Sequence, residues 1–565
     1  MFINRTKLIL LLSAVALFAV YFLTAPQNHS EAEDVYDFAC WVEQGTFADQ
    51  AGVNRVLALP MFGWTYRIAQ LAGYSGRAFP FMIFLNRMLA VGCVVLFWKM
   101  LWAAFSGKAH GGAGVRVGKQ ASEDEDVETV KLPTPNVKLP AALLLAFSYG
   151  FWRYANEAET YILAAFLVLG AWCFCLGDKV WWCIAVSALG CLVHLLNAVP
   201  LLLIIPLYYL LSSDWKKALL HGVATGLLVL AGYLICSPWL DFSELGAQHH
   251  AAEGGLGLKN GLRGMIAFGQ CVLSANFLFG FEEFREMLSD FFPSRMLGEE
   301  FYMASKMPGW IPVAGVATLS LFAVCGLWLG CEWALGFRRW ATEKEGVNRG
   351  SEIEAKKGDK PLLANSKLSA SNLKPLTLSA IVWFLLYGVA VIRTEAGSPE
   401  LWIMALIPCW LLFSSLLRGR VGWILVFCLF AHNLIAGMLP VRSERSDYHA
   451  QKSKWLLEHT TREDLILTSY EPILIFYLNY FADAEVRVSS SDSFEELDER
   501  LGLIEGNAYA VDTFFQPLES MKCRSPEMYD RMVKIGKRMR ARFELVKKDE
   551  FGGIYQYMGD RESNE

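Results

Sequence analysis

Residues 139–176, "LPAALLLAFSYGFWRYANEAETYILAAFLVLGAWCFCL", decide the fold. Two uncharged apolar runs enclose a polar island, "FWRYANEAETY" (151–161), which carries Arg153, Asn156, Glu157 and Glu159. Each run can form a short membrane helix, so the island falls where the chain turns at a membrane surface. Two readings stay open: a wet turn whose charges mean little, or part of a polar site.

The same alternation fills most of the 565 residues. With 54% hydrophobic residues, 19 Trp and 37 Phe, gathered in long blocks, the composition is that of a polytopic α-helical membrane protein. A net charge of -5 without a repeated basic face argues against a nucleic-acid partner. The 13 cysteines show no CxxC pair. "CFC" (173–175) reads as apolar filler.

About eleven spans are expected, at 8–25, 79–105, 139–153, 160–176, 180–194, 196–212, 218–237, 309–331, 376–392, 400–416 and 421–439. The first follows Arg5 and Lys7 and is read as a retained anchor rather than a signal peptide, because no small-residue cleavage pattern follows it. Basic residues in the loops (Lys179, Lys216, Lys217, Arg338, Arg339, Arg418, Arg420) place the N-terminus in the cytoplasm, with the linkers 106–138 and 341–375 on that side. The opposite side receives 26–78, 154–159, 238–308, 393–399 and 441–565. Within it, 35–45, 55–72 and "NFLFGFEEFREMLSDFF" (276–292) have the spacing of interfacial helices.

Residues 1–440 therefore read as the transmembrane domain and 441–565 as a small extracytoplasmic α/β domain. In the latter, "DLILTS", "EVRVSS", "AYAVDTFF" and "GIYQYMG" are expected strands, and "DSFEELDERLGLI" and "SPEMYDRMVKIGKRMRARF" expected helices.

Several ionisable residues share the outer side. Asp34 and Asp37 lie three apart after the first span; a partly desolvated carboxylate there suits a general base, while a solvated acidic helix start is the bland alternative. Arg153 and Glu157 are four apart, as are Glu157 and Tyr161, so a local ion pair competes with a cavity role. His194 and Asn197 lie three apart at the outer end of the fifth span, and a lone histidine there is more often a core residue than a ligand. Arg393 suits a phosphate, and Trp402 suits either a site or an aromatic belt. "HHAAE" (249–253) lacks a strict metal pattern, so no metal or other cofactor is expected, although a divalent ion stays compatible.

Taken in order, "EDVYDFACWVEQG", "LALPMFGWTYRIAQLAG", "FWRYANEAETYILAA", "HLLNAVPLLLIIP" and "GSPELWIMALIPCW" resemble the GT-C superfamily of membrane glycosyltransferases, in its protein O-mannosyltransferase-like branch. The resemblance covers roughly 8–440. It implies a polyprenyl-phosphate sugar donor in a bacterial cytoplasmic membrane, a protein, glycan or lipid acceptor outside, and an inverting displacement. It also implies Asp34 as base, Asp37 second, with Glu159, Tyr161, His194 and Asn197 in the cavity and Arg153 or Arg393 as phosphate partner. Many relatives carry a histidine where this chain has Asn54 and Arg55. A multi-pass transporter and a scaffold built on the α/β domain are the rival readings; against a transporter stand charges gathered at one face and no visible repeat.

Overall fold

The computed structural model describes residues 5–32, 34–46, 53–105, 138–240, 257–291, 298–328, 330–331, 366–414, 417 and 419–559. "HHAAE" and most of the two linkers lie outside these residues.

The chain is a multi-pass bundle of apolar helices followed by a small sheet. Five helices are long and apolar enough to cross a membrane: Ala78–Phe105, Trp215–Cys236, Trp310–Trp328, Lys374–Glu395 and Arg420–Met438. Six shorter apolar helices, Leu8–Leu23, Lys138–Phe147, Tyr161–Leu176, Val180–Val193, Leu195–Leu211 and Pro399–Phe413, coincide with the other expected spans. The linker expected over 341–375 is shorter than its composition suggests, because a helix already runs from Ser366 to Glu395 and passes through Pro375.

In chain order the first elements are α1 (Arg5–Leu23), α2 (Val35–Gln44), α3 (Ala58–Leu71), α4 (Ala78–Phe105), α5 (Lys138–Phe147), α6 (Tyr149–Tyr154), α7 (Tyr161–Leu176), α8 (Val180–Val193), α9 (Ile205–Leu211) and α10 (Trp215–Cys236). Helices α4, α7 and α8 pack side by side at the centre of the bundle. Large side chains lock its interior: the Trp172 and Trp383 rings stack at 5.7 Å, and Trp152 stacks on Phe430 at 5.4 Å. Leu227, Leu230 and Leu234 of α10 stay exposed, as a lipid-facing surface requires.

Two breaks shape the end of the bundle where the site forms. Ser148 separates α5 from α6, and its hydroxyl accepts the Trp410 indole N–H at 2.9 Å. His194 interrupts the apolar run between α8 and α9 with extended backbone (φ -155°, ψ 120°). Asn197 covers that break by donating to the Gly190 carbonyl at 3.0 Å, which also accepts the His194 N–H at 3.1 Å.

The sheet has the order β2-β1-β3-β5-β4, with β1 (Leu465–Thr468), β2 (Glu485–Val488) and β3 (Ala508–Val511) parallel, and β4 (Phe543–Asp549) and β5 (Gly552–Tyr557) antiparallel. Four of these strands match the expected ones. The central β1 and β3 are wholly buried, as a parallel core requires.

Candidate active site

Arg55 is the hub. It ends a short 3-10 turn before α3, and its guanidinium carbon lies 5.2 Å from the Phe38 ring centre and 5.4 Å from that of Tyr161. Its Nη2 donates to the Tyr161 hydroxyl at 3.1 Å, while Nη1 is 3.4 Å from Asp34 Oδ2 and 3.8 Å from Glu159 Oε2. Asp34 caps α2 by position, yet its side chain makes no capping hydrogen bond. That leaves a carboxylate beside Arg55 with 44% of its side chain exposed.

Glu159 forms the floor of the cluster, with 5% of its side chain exposed. Burial pushes its carboxyl up to about 8; Arg55 opposes the rise, and Asp34 and Glu400 add to it. Tyr154 stands edge-on to Tyr161 at 5.6 Å and donates to Glu400 Oε2 at 3.2 Å. The His194 ring lies 5.6 Å from that of Tyr161. Asp34, the Glu159–Tyr161 pair and His194, drawn from three distant parts of the sequence, thus meet around Arg55.

A second, drier network supports this one. Arg153 and Glu157 form the i,i+4 ion pair that their spacing allows, both essentially unexposed. Arg153 also donates to Glu31 Oε2 at 3.1 Å and to the Asn28 carbonyl at 2.8 Å, and His29 Nδ1 lies 2.5 Å from Glu157 Oε2. Tyr149 donates to Glu31 Oε2 at 2.7 Å and Asn276 to Glu31 Oε1 at 2.7 Å. Asn86 of α4 donates to the carbonyls of Glu157 and Glu159 at 2.7 and 2.6 Å, which fixes the turn between α6 and α7. With its charge matched inside the protein, Arg153 is placed to hold this turn rather than to meet a ligand.

The other sequence candidates lie outside the Arg55 cluster. Arg393 is exposed and, among the described residues, joins the Arg55 cluster by no ion pair. Trp402 is buried against Phe268, 5.5 Å between ring centres, and is a packing residue rather than part of an exposed belt. Asn197 serves the α8 break described above. Asp37, one helical turn beyond Asp34, is half-buried, and burial together with the Asp34 charge pushes its carboxyl up to about 7. The sequence signals did not single out His29, Glu31, Tyr149 or Asn276, and they noted Arg55 only as a departure from a histidine.

Two cavities among the described residues lie away from this cluster. One is an apolar gap lined by Leu10, Leu17, Val91 and Val94; the other is a charged groove beside Arg487 and Arg500. The Arg55 cluster reaches solvent through Asp34 and Arg55, and the neighbouring network through Glu31; their side chains are 44%, 22% and 29% exposed. No group of three or more His, Cys, Asp or Glu suited to a metal ion occurs among the described residues.

No family model matches the chain, and no curated protein does. Among solved structures it is similar to ArnT from Cupriavidus metallidurans bound to undecaprenyl phosphate, with 11% identity, 98% of each chain covered and a TM-score of 0.48. The apo state of that protein gives 13% identity, 98% of each chain covered and a TM-score of 0.41.

Proposed function

We propose that this protein is a membrane glycosyltransferase of the GT-C type, moving a monosaccharide from a polyprenyl-phosphate donor to an acceptor hydroxyl on the outer side of the membrane. The observation that carries this reading is the half-exposed Asp34 carboxylate set beside Arg55 over the buried Glu159. In the proposed step Asp34 takes the proton of the acceptor hydroxyl as its oxygen attacks the anomeric carbon from the face opposite the phosphate. The bond from that carbon to the phosphate oxygen breaks, and the charge leaving on the phosphate is met by Arg55.

Glu159 fits this scheme as a modulator. While protonated it leaves the charge of Arg55 uncancelled for the phosphate. The motif order further suggests the O-mannosyltransferase-like branch, and the loop charges suggest a cytoplasmic N-terminus with the α/β domain outside. Purified protein incubated with labelled polyprenyl-phosphate sugars should consume at least one of them, and Asp34→Asn should lower the rate by about 10²- to 10⁴-fold, the range for loss of a general base. Full activity of Asp34→Asn would refute the assignment.

A further inference from the structure

The α/β domain grips the Asp34 helix in two places. At the first, the strap 26–32 that leads into α2 is bound to the chain just before the sheet. The Val441 carbonyl accepts the N–H groups of Gln27 and Asn28, each at 3.0 Å, and the Ser446 carbonyl accepts Asn28 Nδ2 at 2.7 Å. Asp447 is the centre of this contact and is 1% exposed. Its Oδ2 accepts the His29 N–H at 3.0 Å, while Oδ1 accepts the Ala450 N–H at 2.9 Å and faces the Ser30 hydroxyl at 3.4 Å. One carboxylate therefore caps the helix Tyr448–His459 of the α/β domain and holds the strap of the membrane domain.

At the second, the helix Pro472–Phe481 lies along α2. Tyr36 meets Tyr477 edge-on at 5.0 Å and Phe481 at 5.5 Å. Tyr480 donates to Glu43 Oε2 at 3.0 Å and accepts the Phe79 N–H at 3.0 Å, with Arg77 3.9 Å above its ring. The strap and α2 together carry His29, Glu31, Asp34 and Asp37, and Asp34 has no cap bond of its own to anchor it. Apart from its ion pair with Arg55, its position is thus inherited from elements that the α/β domain holds.

We propose that the α/β domain is part of the frame of the active site, and that Asp447 is a positioning residue which sets Asp34 through the strap. This rests on the glycosyltransferase reading given above. The physical reason is the sensitivity of a displacement to the placement of its base, where an error near 1 Å costs on the order of 10²-fold in rate. Donor contacts through Arg55 depend less on the strap, because Arg55 is also held by Tyr161 of α7, which lies outside the strap and α2.

The test uses the full chain in lipid nanodiscs and two variants. Asp447→Asn keeps the shape but turns one acceptor into a donor facing an N–H, and Tyr477→Leu removes the ring contact at the other grip. The exposed Glu495→Ala serves as control. Two readouts are taken: donor kcat and KM, and hydrogen exchange of the amides of residues 35–44 against those of β1 and β3. Both variants should lower kcat about 10-fold or more with KM changed less than two-fold, and should speed exchange in α2 while the sheet stays protected. Unchanged α2 exchange in both would overturn the proposal, as would faster exchange with unchanged kcat. If Asp447→Asn fails to fold, Tyr477→Leu decides. A wild type that consumes none of the polyprenyl-phosphate sugars refutes the glycosyltransferase reading instead, and the coupling of the two domains then stands or falls on the exchange data.

Discussion

Glu157 and Glu159 are two residues apart and do different things. Glu157 is wholly buried between Arg153 and His29, so truncating it removes the buried partner of both and leaves Arg153 with Glu31 alone. Glu157→Ala should destabilise the protein by about 3 to 5 kcal/mol, the cost of breaking a buried pair from one side, seen as a lower melting temperature in detergent. Glu159→Gln should fold normally and change pH behaviour. With its carboxyl raised from 4.5 to about 8 in the folded protein, the native state holds a proton that the unfolded state releases. The stability this gives is fully present below about 4.5, falls as pH rises, and is gone above about 8; Glu159→Gln should flatten that part of a melting-temperature profile. The same ionisation cancels the charge on Arg55, so the donor KM should rise as pH passes about 8 in the wild type and stay level in Glu159→Gln. Sequence spacing revealed the Arg153–Glu157 pair because it is four residues long. His29 and Glu31 were not legible, since their contacts span 128 and 122 residues of chain.

Elements that the sequence made legible are those with a period or an unbroken apolar run. All eleven apolar stretches became helices, and β1, β2, β3 and β5 lie in the four segments rich in β-formers. The missed strand is β4, at the sheet edge, where only Phe543 is buried and the remaining residues of "FELVKKD" are mostly exposed. The preceding helix was read through to Phe543, whereas it ends at Met539 and a 3-10 turn over Arg540–Arg542 redirects the chain. Helix packing near the site depends on one small residue that periodicity does not flag. A Cβ on Gly150 of α6 would come within 2.6 Å of Cys271 Sγ and 3.3 Å of its Cα. Gly150→Ala should therefore push α6, and Arg153 with it, away from the helix Leu258–Val272 at a cost of about 1 to 3 kcal/mol. Thermal unfolding measures the loss, and Cys271→Ala in the same protein should restore part of it.

On the scale of the whole molecule, the two ends of the bundle differ in charge. Lys217 bridges Asp178 at 2.7 Å and Asp214 at 2.8 Å, so the α7–α8 and α9–α10 turns sit at one end together with Lys179 and Lys216. Helix α7 starts at Tyr161 in the Arg55 cluster and ends beside this lysine-rich turn after 16 residues. At 1.5 Å per residue that is about 24 Å, shorter than the roughly 30 Å hydrocarbon core, so the cluster lies at or slightly below the level of the opposite membrane surface, within reach of a lipid phosphate. The positive-inside rule predicts that the lysine end faces the cytoplasm. In a background with the exposed Cys331 replaced, Ser213→Cys should react with a membrane-impermeant maleimide only after the membrane is opened. Glu495→Cys, on the α/β domain, should react in intact cells. The reverse pattern would place the Arg55 cluster on the cytoplasmic side, where the donor would have to be presented from within the cell and the proposed outer acceptor could not reach Asp34.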